Sequence, residues 1–149
     1  MTADWYLLTK WIHIVSSTIL FGTGIGSAFY MLMAHLQAQP QHRRTTVRHV
    51  VLADWLFTTP AVIIQLLSGL LLVHLGGYSL SESWIIWALA LYVFAGLCWV
   101  PVVAIQIHLG KDNVPDDRCR HLFRWWLLLG CLAFPTVLVI FWLMVFKPV

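Results

Sequence analysis

Charge is scarce in this sequence. Nine lysine and arginine residues and six aspartate and glutamate residues make only 10% of the 149 side chains charged, against about a quarter in soluble domains. With 60% of the residues hydrophobic, that scarcity excludes an ordinary soluble fold and indicates an integral membrane protein. Cysteine is also sparse. Cys98, Cys119 and Cys131 form no C-x-x-C or C-x-x-C-H spacing, which excludes a thiol redox pair and covalent c-type haem attachment. Cys98 and Cys131 fall inside apolar runs and are expected to be small buried side chains. A basic n-region is missing from Met1-Thr2-Ala3-Asp4-Trp5, and the apolar run after it is too long for a signal peptide, so the first segment is expected to be retained. The net charge of +3 comes from basic residues in the connections between apolar runs. It reports topology, not nucleic-acid binding.

Four apolar runs are present, at about 5–36, 48–75, 83–109 and 120–146, each longer than the ~20 residues a spanning helix needs. Short connections make consecutive helices antiparallel neighbours. The expected fold is therefore an all-α, up-down-up-down transmembrane four-helix bundle, with residues 1–149 forming a single membrane domain. Gly76-Gly77 and Gly110 supply stops, and Ser81 or Ser83 a cap for the third helix. Nine tryptophans suit anchoring at the headgroup level. Arg43, Arg44, Arg48, Lys111, Arg118, Arg120 and Arg124 lie toward one end of the bundle, whereas only Lys10 and Lys147 lie toward the other. By the positive-inside rule both termini face outward, which in a bacterial inner membrane is the periplasm. Pro60, Pro101 and Pro135 fall within runs, where kinks are expected and breaks are not.

Ionisable residues inside such runs are costly, by at least ~2–3 kcal/mol at the helix centre, so each must snorkel, pair or bind something. Lys10-Trp11-Ile12-His13 opens the first run with two of them. Lys10, His13, Ser17, Gly24, Ser27 and Met31 recur at helical spacing and read as the side turned toward neighbouring helices. Gly22-Thr23-Gly24-Ile25-Gly26 has no strand before it, so close helix packing explains it better than a nucleotide loop. On the second helix Asp54, Thr58, Ala61, Gln65, Ser68 and Gly69 form a polar stripe, with His49 and His74 on another face. Asp54 reads either as an N-terminal-turn residue that complements its helix dipole or pairs with Arg48, or, with Gln65, as a proton relay or substrate contact. On the third helix Tyr92, Gly96, Trp99, Val103 and Gln106 form the expected inward side. His35, His42, His49, His108 and His121 belong to the basic end, and His13 and His74 to the other.

Two imidazoles on facing helices are a recurring way to hold haem iron. His13 and His74 are the candidate iron ligands for a haem b, with Met144 as an alternative to His74 and with Lys10 and Lys147 facing the propionates. In that reading the protein passes electrons to or from a redox protein or quinone. Two other readings stand beside it. One is a non-catalytic membrane subunit whose polar stripes only join helices; the other is a proton-coupled transporter. Homo-oligomerisation is compatible with all three.

Lys10-x-x-His13 with Gly22 and Gly24, Asp54-x5-Pro60-x8-Gly69, and the terminal Phe141-Trp-Leu-Met-Val-Phe-Lys-Pro148 resemble a family of predicted bacterial four-helix membrane proteins of unknown function. The likeness covers nearly the whole chain and implies no particular activity. More distantly, Lys10-x-x-His13, Phe29-Tyr30, His35 and Lys147-Pro148 are similar to HemJ-type protoporphyrinogen oxidases and to the membrane domains of copper-resistance D proteins. The first of these resemblances implies a haem b near His13 and a haem-dependent oxidoreductase. The chain departs from that pattern at Ala28-Phe29-Tyr30-Met31, where an arginine is expected, and has no clear counterpart of a later lysine, which leaves porphyrinogen oxidation without its expected residues.

Overall fold

A computed structural model describes residues 2–36, 40–112 and 114–148. Within them the chain forms α1 (Thr2–Leu36), α2 (Pro40–Ala53), a π-helical turn (Asp54–Thr58), α3 (Thr59–Leu75), α4 (Ser83–Leu109) and α5 (Asp116–Phe146). The turn joins α2 to α3 as one rod, so four helices are long and apolar enough to cross a membrane. The all-α four-helix membrane architecture read from the sequence is the one observed.

Three helices start earlier than expected, α1 at Thr2 and, by more, α2 and α5. α2 begins at Pro40, well ahead of Arg48, and α5 begins at Asp116 rather than Arg120. Proline suits a first helical position because its missing N–H would have no intrahelical partner, and Asp116 and Asp117 complement the dipole of α5. Hydropathy marks where a helix enters lipid, whereas these caps mark where it starts in water. Of the expected first polar loop, Gln37-Ala38-Gln39 lies outside the described residues.

Only Pro60, of the three prolines, changes the helix type. It has no N–H for the Leu56 carbonyl, and the rod widens over Asp54–Thr58, where Thr59 donates both its backbone N–H and its hydroxyl (3.0 Å) to the Asp54 carbonyl. α4 and α5 pass Pro101 and Pro135 without interruption.

The packing is inside-out relative to a soluble bundle. Ser16, Ser27, Asp54, Thr58, Ser68 and Gln106 are buried, while Trp11, Leu67, Leu97, Val100 and Leu128 are exposed. Apolar outer faces meet lipid and small or polar side chains meet each other, as expected where lipid removes any hydrophobic drive between helices. α1 packs along α2 and α3, and α4 along α5, giving two helical hairpins. At the basic end the hairpins share a core of Met31, Val47, Val50, Leu109, Cys119, Phe123 and Trp126. Arg43–Asp116 and Arg44–Asp112 ion pairs close that end. Toward the termini α1 and α5 approach only sparingly. There Phe21 reaches across to Phe134 and Phe141, at ring-centroid distances of 5.0 and 5.5 Å, and the Tyr92 hydroxyl donates to the Val62 carbonyl at 2.6 Å.

Three packing expectations are corrected. Added Cβ atoms at Gly22, Gly24 and Gly26 would meet nothing within 4 Å, so these glycines do not mediate close packing inside the chain. Cys131 is exposed, unlike Cys98. On α1 it is Ser16, not Ser17, that is buried, and there its hydroxyl meets Gln65 Oε1 on α3.

Candidate functional site

Two polar networks lie within the spans. The first joins α1 to α3 around His13. Ser68 donates to the Ile64 carbonyl at 2.6 Å, which uses its proton, so the contact of 2.9 Å between Ser68 Oγ and His13 Nδ1 is one in which the ring N–H donates. The other ring nitrogen, Nε2, therefore carries the lone pair and accepts from Gln65 Nε2 at 3.0 Å. Ser16 in turn donates to Gln65 Oε1. With the Ser68 proton on the Ile64 carbonyl and the Gln65 amide as donor, the His13 proton sits on Nδ1, while the Ser16 hydroxyl has both Gln65 Oε1 and the His13 carbonyl, at 3.0 Å, within reach. Gly69 completes the arrangement. A Cβ there would stand 3.1 Å from His13 Cε1, so the ring packs directly on Gly69 and would have to give by a few tenths of an ångström to admit a side chain.

The second network gathers all four spanning helices around Asp54, which is 4% exposed. The Trp126 indole, a donor only, orients the Gln106 amide: its carbonyl accepts from Trp126 Nε1 at 3.3 Å and its NH2 donates to Asp54 Oδ2 at 2.9 Å. Thr58 donates to Asp54 Oδ1 at 2.8 Å and Ser27, more weakly, at 3.4 Å. A buried carboxylate without a cation beside it depends on such donors. The expected pairing of Asp54 with Arg48 is not observed. Arg48 turns to the basic end, where its Nε donates to the Gly110 carbonyl at 3.0 Å and its guanidinium meets Asp112 at 3.4 Å. Among the described residues, no buried side-chain nitrogen or oxygen lacks a partner.

The expected relay from Asp54 to Gln65 is not continuous. Both lie on one face of the rod, but about three turns, or ~16 Å, separate them, and the buried Ala61 stands between. They serve different networks. The expected ligand set separates as well. His13 lies level with Gln65 and Ser68, and His74 is about two turns farther along α3, ~10 Å in depth and turned by about 120° from Ser68. His74 is exposed. It does not face His13, because stepping from Ser68 to His74 takes the chain through a non-integral number of turns. Lys147 is committed elsewhere, donating to the Tyr78 hydroxyl at 2.8 Å with its ammonium over the Tyr78 and Trp84 rings. Lys10 is exposed, one turn outward from His13.

Met144 is the member of the set that shares His13's depth, although its side chain, like that of His74, is exposed, and it is the neighbouring Leu143 that turns inward. α5 runs antiparallel to α1 with Phe21 between Phe134 and Phe141, and a little over two turns outward from that contact brings α1 to His13 and α5 to the neighbourhood of Met144. Ser16 and Trp126 are the members of the networks that sequence reasoning missed. Helical spacing from Thr9 through His13 gives Ser16 its place; nothing in the sequence singles out Trp126 over Trp125. No group of three or more histidine, cysteine or carboxylate side chains that would hold a metal ion occurs among the described residues.

Neither the curated proteins nor the solved structures include a match to the chain. Its residues 7–148 match the DUF2269 family of predicted integral membrane proteins, so the chain belongs to that family.

Proposed function

We propose that the chain is a haem b-binding redox protein of a bacterial inner membrane, with His13 as the axial imidazole and both termini on the periplasmic side. The observation that supports this is the pair of partners on the His13 ring, Ser68 Oγ at 2.9 Å from Nδ1 and Gln65 Nε2 at 3.0 Å from Nε2. Metal-ligating histidines hold the second ring N–H on a fixed acceptor, and the Ser68 hydroxyl fills that role at 2.9 Å, leaving the Nε2 lone pair as the ligating atom. Gln65 covers that lone pair at 3.0 Å and is itself held by Ser16, so iron binding there would require the amide to turn aside. His13 and Met144 form the donor set at one depth, replacing the pair His13 and His74. Lys10, exposed at the same end, is the cation for a propionate. A bound b-type haem supplies one-electron chemistry; the chain's own residues set the imidazole tautomer, hold the ring against Gly69 and keep the α1–α3 interface closed. Exposed apolar faces leave a quinone or a membrane redox protein as the exchange partner. The similarity of Lys10-x-x-His13 to HemJ-type proteins agrees with this reading, and the excess of lysine and arginine at one end supports the orientation.

The test is an absorbance spectrum of detergent-solubilised protein from haem-replete cells. A Soret band is expected that His13→Ala abolishes, that Met144→Ala shifts, that Gln65→Ala retains and that His74→Ala leaves unchanged. Protein without a Soret band overturns the proposal. What then stands is the second reading, a non-catalytic membrane subunit, which one observation favours: among the described residues every buried polar side chain is already partnered within the chain.

A further inference from the structure

A groove of about 380 Å³ opens between α2 and α4 at the basic end, lined by Arg48, Val51, Ile107, Gly110, Lys111 and Asp112. We propose that it holds the phosphate-bearing headgroup of an anionic phospholipid, with the first part of an acyl chain along Val51 and Ile107. This assignment is independent of any haem.

Three features carry it. The groove has two chemical levels: Val51 and Ile107 belong to the apolar part of the rod and of α4, and Ile107 is 41% exposed. Arg48, Lys111 and Asp112 lie at the end where the helices leave lipid. That is the order of a lipid, tail then headgroup, and a soluble anion has no use for the apolar wall. The charge balance is positive. Arg44 and Arg48 share Asp112, at 3.4 Å each, so its single negative charge answers only one of them, and Lys111 adds another exposed cation. Anionic headgroups gather at such basic juxtamembrane positions.

Arg48 is also held in place for the role. Its Nε donates to the Gly110 carbonyl at 3.0 Å and its Nη2 to Asp112 at 3.4 Å, and a Cβ on Gly110 would meet Arg48 Cγ at 3.5 Å, so the guanidinium is fixed beside the groove with Nη1 left for an anion. The Gly110 and Lys111 N–H groups are already committed, donating to the Gln106 and His108 carbonyls. Recognition therefore rests on the Arg48 and Lys111 side chains.

The experiment is native mass spectrometry of the full chain released from neutral detergent with phosphatidylglycerol, phosphatidylcholine or inorganic phosphate added. One retained phosphatidylglycerol is expected. Its apparent affinity should fall about fivefold in Lys111→Gln, the effect of one basic residue at an anionic surface, and by more in Arg48→Gln/Lys111→Gln. Equal retention of phosphatidylcholine, an unchanged affinity in Lys111→Gln, or displacement of the lipid by inorganic phosphate at equal concentration would each overturn the assignment, the last by showing a free-phosphate site. Lys111→Gln touches no contact that holds the helices together, so it decides the question even if the double variant fails to fold.

Discussion

Replacing Gln106 with leucine tests the Asp54 network most directly. Gln106 is 1% exposed and bridges Trp126 Nε1 to Asp54 Oδ2. Leucine of similar size removes both bonds at once and leaves a buried indole N–H and one carboxylate oxygen without partners. Each such orphan costs about 1–3 kcal/mol. Interhelical hydrogen bonds in membranes average only ~0.6 kcal/mol, because the unfolded chain in lipid also finds partners. Asp54 and Trp126 are 4% and 5% exposed and Asp54 is ionisable, so the cost should exceed that average while the lipid reference state keeps it to the lower part of the summed range. A loss of about 2–4 kcal/mol is expected in unfolding by SDS titration from mixed micelles. The sharper measure is the cycle with Trp126→Phe. In the wild-type background that change strands the Gln106 carbonyl and also alters the stacking on Phe123; in the Gln106→Leu background it removes a stranded donor. The packing change is common to both arms, so a coupling of about 1 kcal/mol or more should remain. Additivity to within ~0.5 kcal/mol would refute the bridge and with it the orientation of the amide.

Other outcomes follow from the same geometry. Gly69→Ala sets a methyl 3.1 Å from His13 Cε1 and should cost about 1–3 kcal/mol through overpacking, whereas Gly22→Ala, in open space, should be neutral or stabilise by up to ~1 kcal/mol through helix propensity; equal effects in thermal melts would contradict the placement of His13. Tyr78→Phe keeps the ring beneath the Lys147 ammonium and loses only the 2.8 Å hydrogen bond, so it should lower the melting temperature less than Lys147→Ala, which also loses the cation–π contacts, worth about 0.5–1 kcal/mol at exposed sites. Ser68→Ala removes the acceptor that holds the His13 N–H. If His13 binds haem, this variant should retain a Soret band with weakened affinity, about 10–100-fold by analogy with second-shell changes at metal sites, whereas His13→Ala should lose the band.

Much of this protein is legible without coordinates. Lipid imposes one strong rule on a chain, that backbone polar groups be satisfied within each span, so length and hydropathy sufficed for four helices, their class and the basic end. The stripe Asp54, Thr58, Ala61, Gln65 and Ser68 was readable as well, because inward positions in a membrane bundle are the polar and small ones. Partner choice was not readable. Helical periodicity says that His13 and His74 each lie on some face at one end of the bundle, but their relative depth depends on how far α1 slides along α3, which Gly69 and the Ser68–His13–Gln65 bonds decide. Likewise Asp54 stands within a turn or two of Arg48 along the helix, yet its donors come from residues 27 and 106, brought near only when the hairpins close on their shared core. The sequence by itself determined which segments must leave water and which residues must then face inward, since both follow from transfer free energies that act residue by residue. Only the tertiary structure decided which inward residues meet, because that depends on the sliding and rotation of whole helices, and no single residue carries that information.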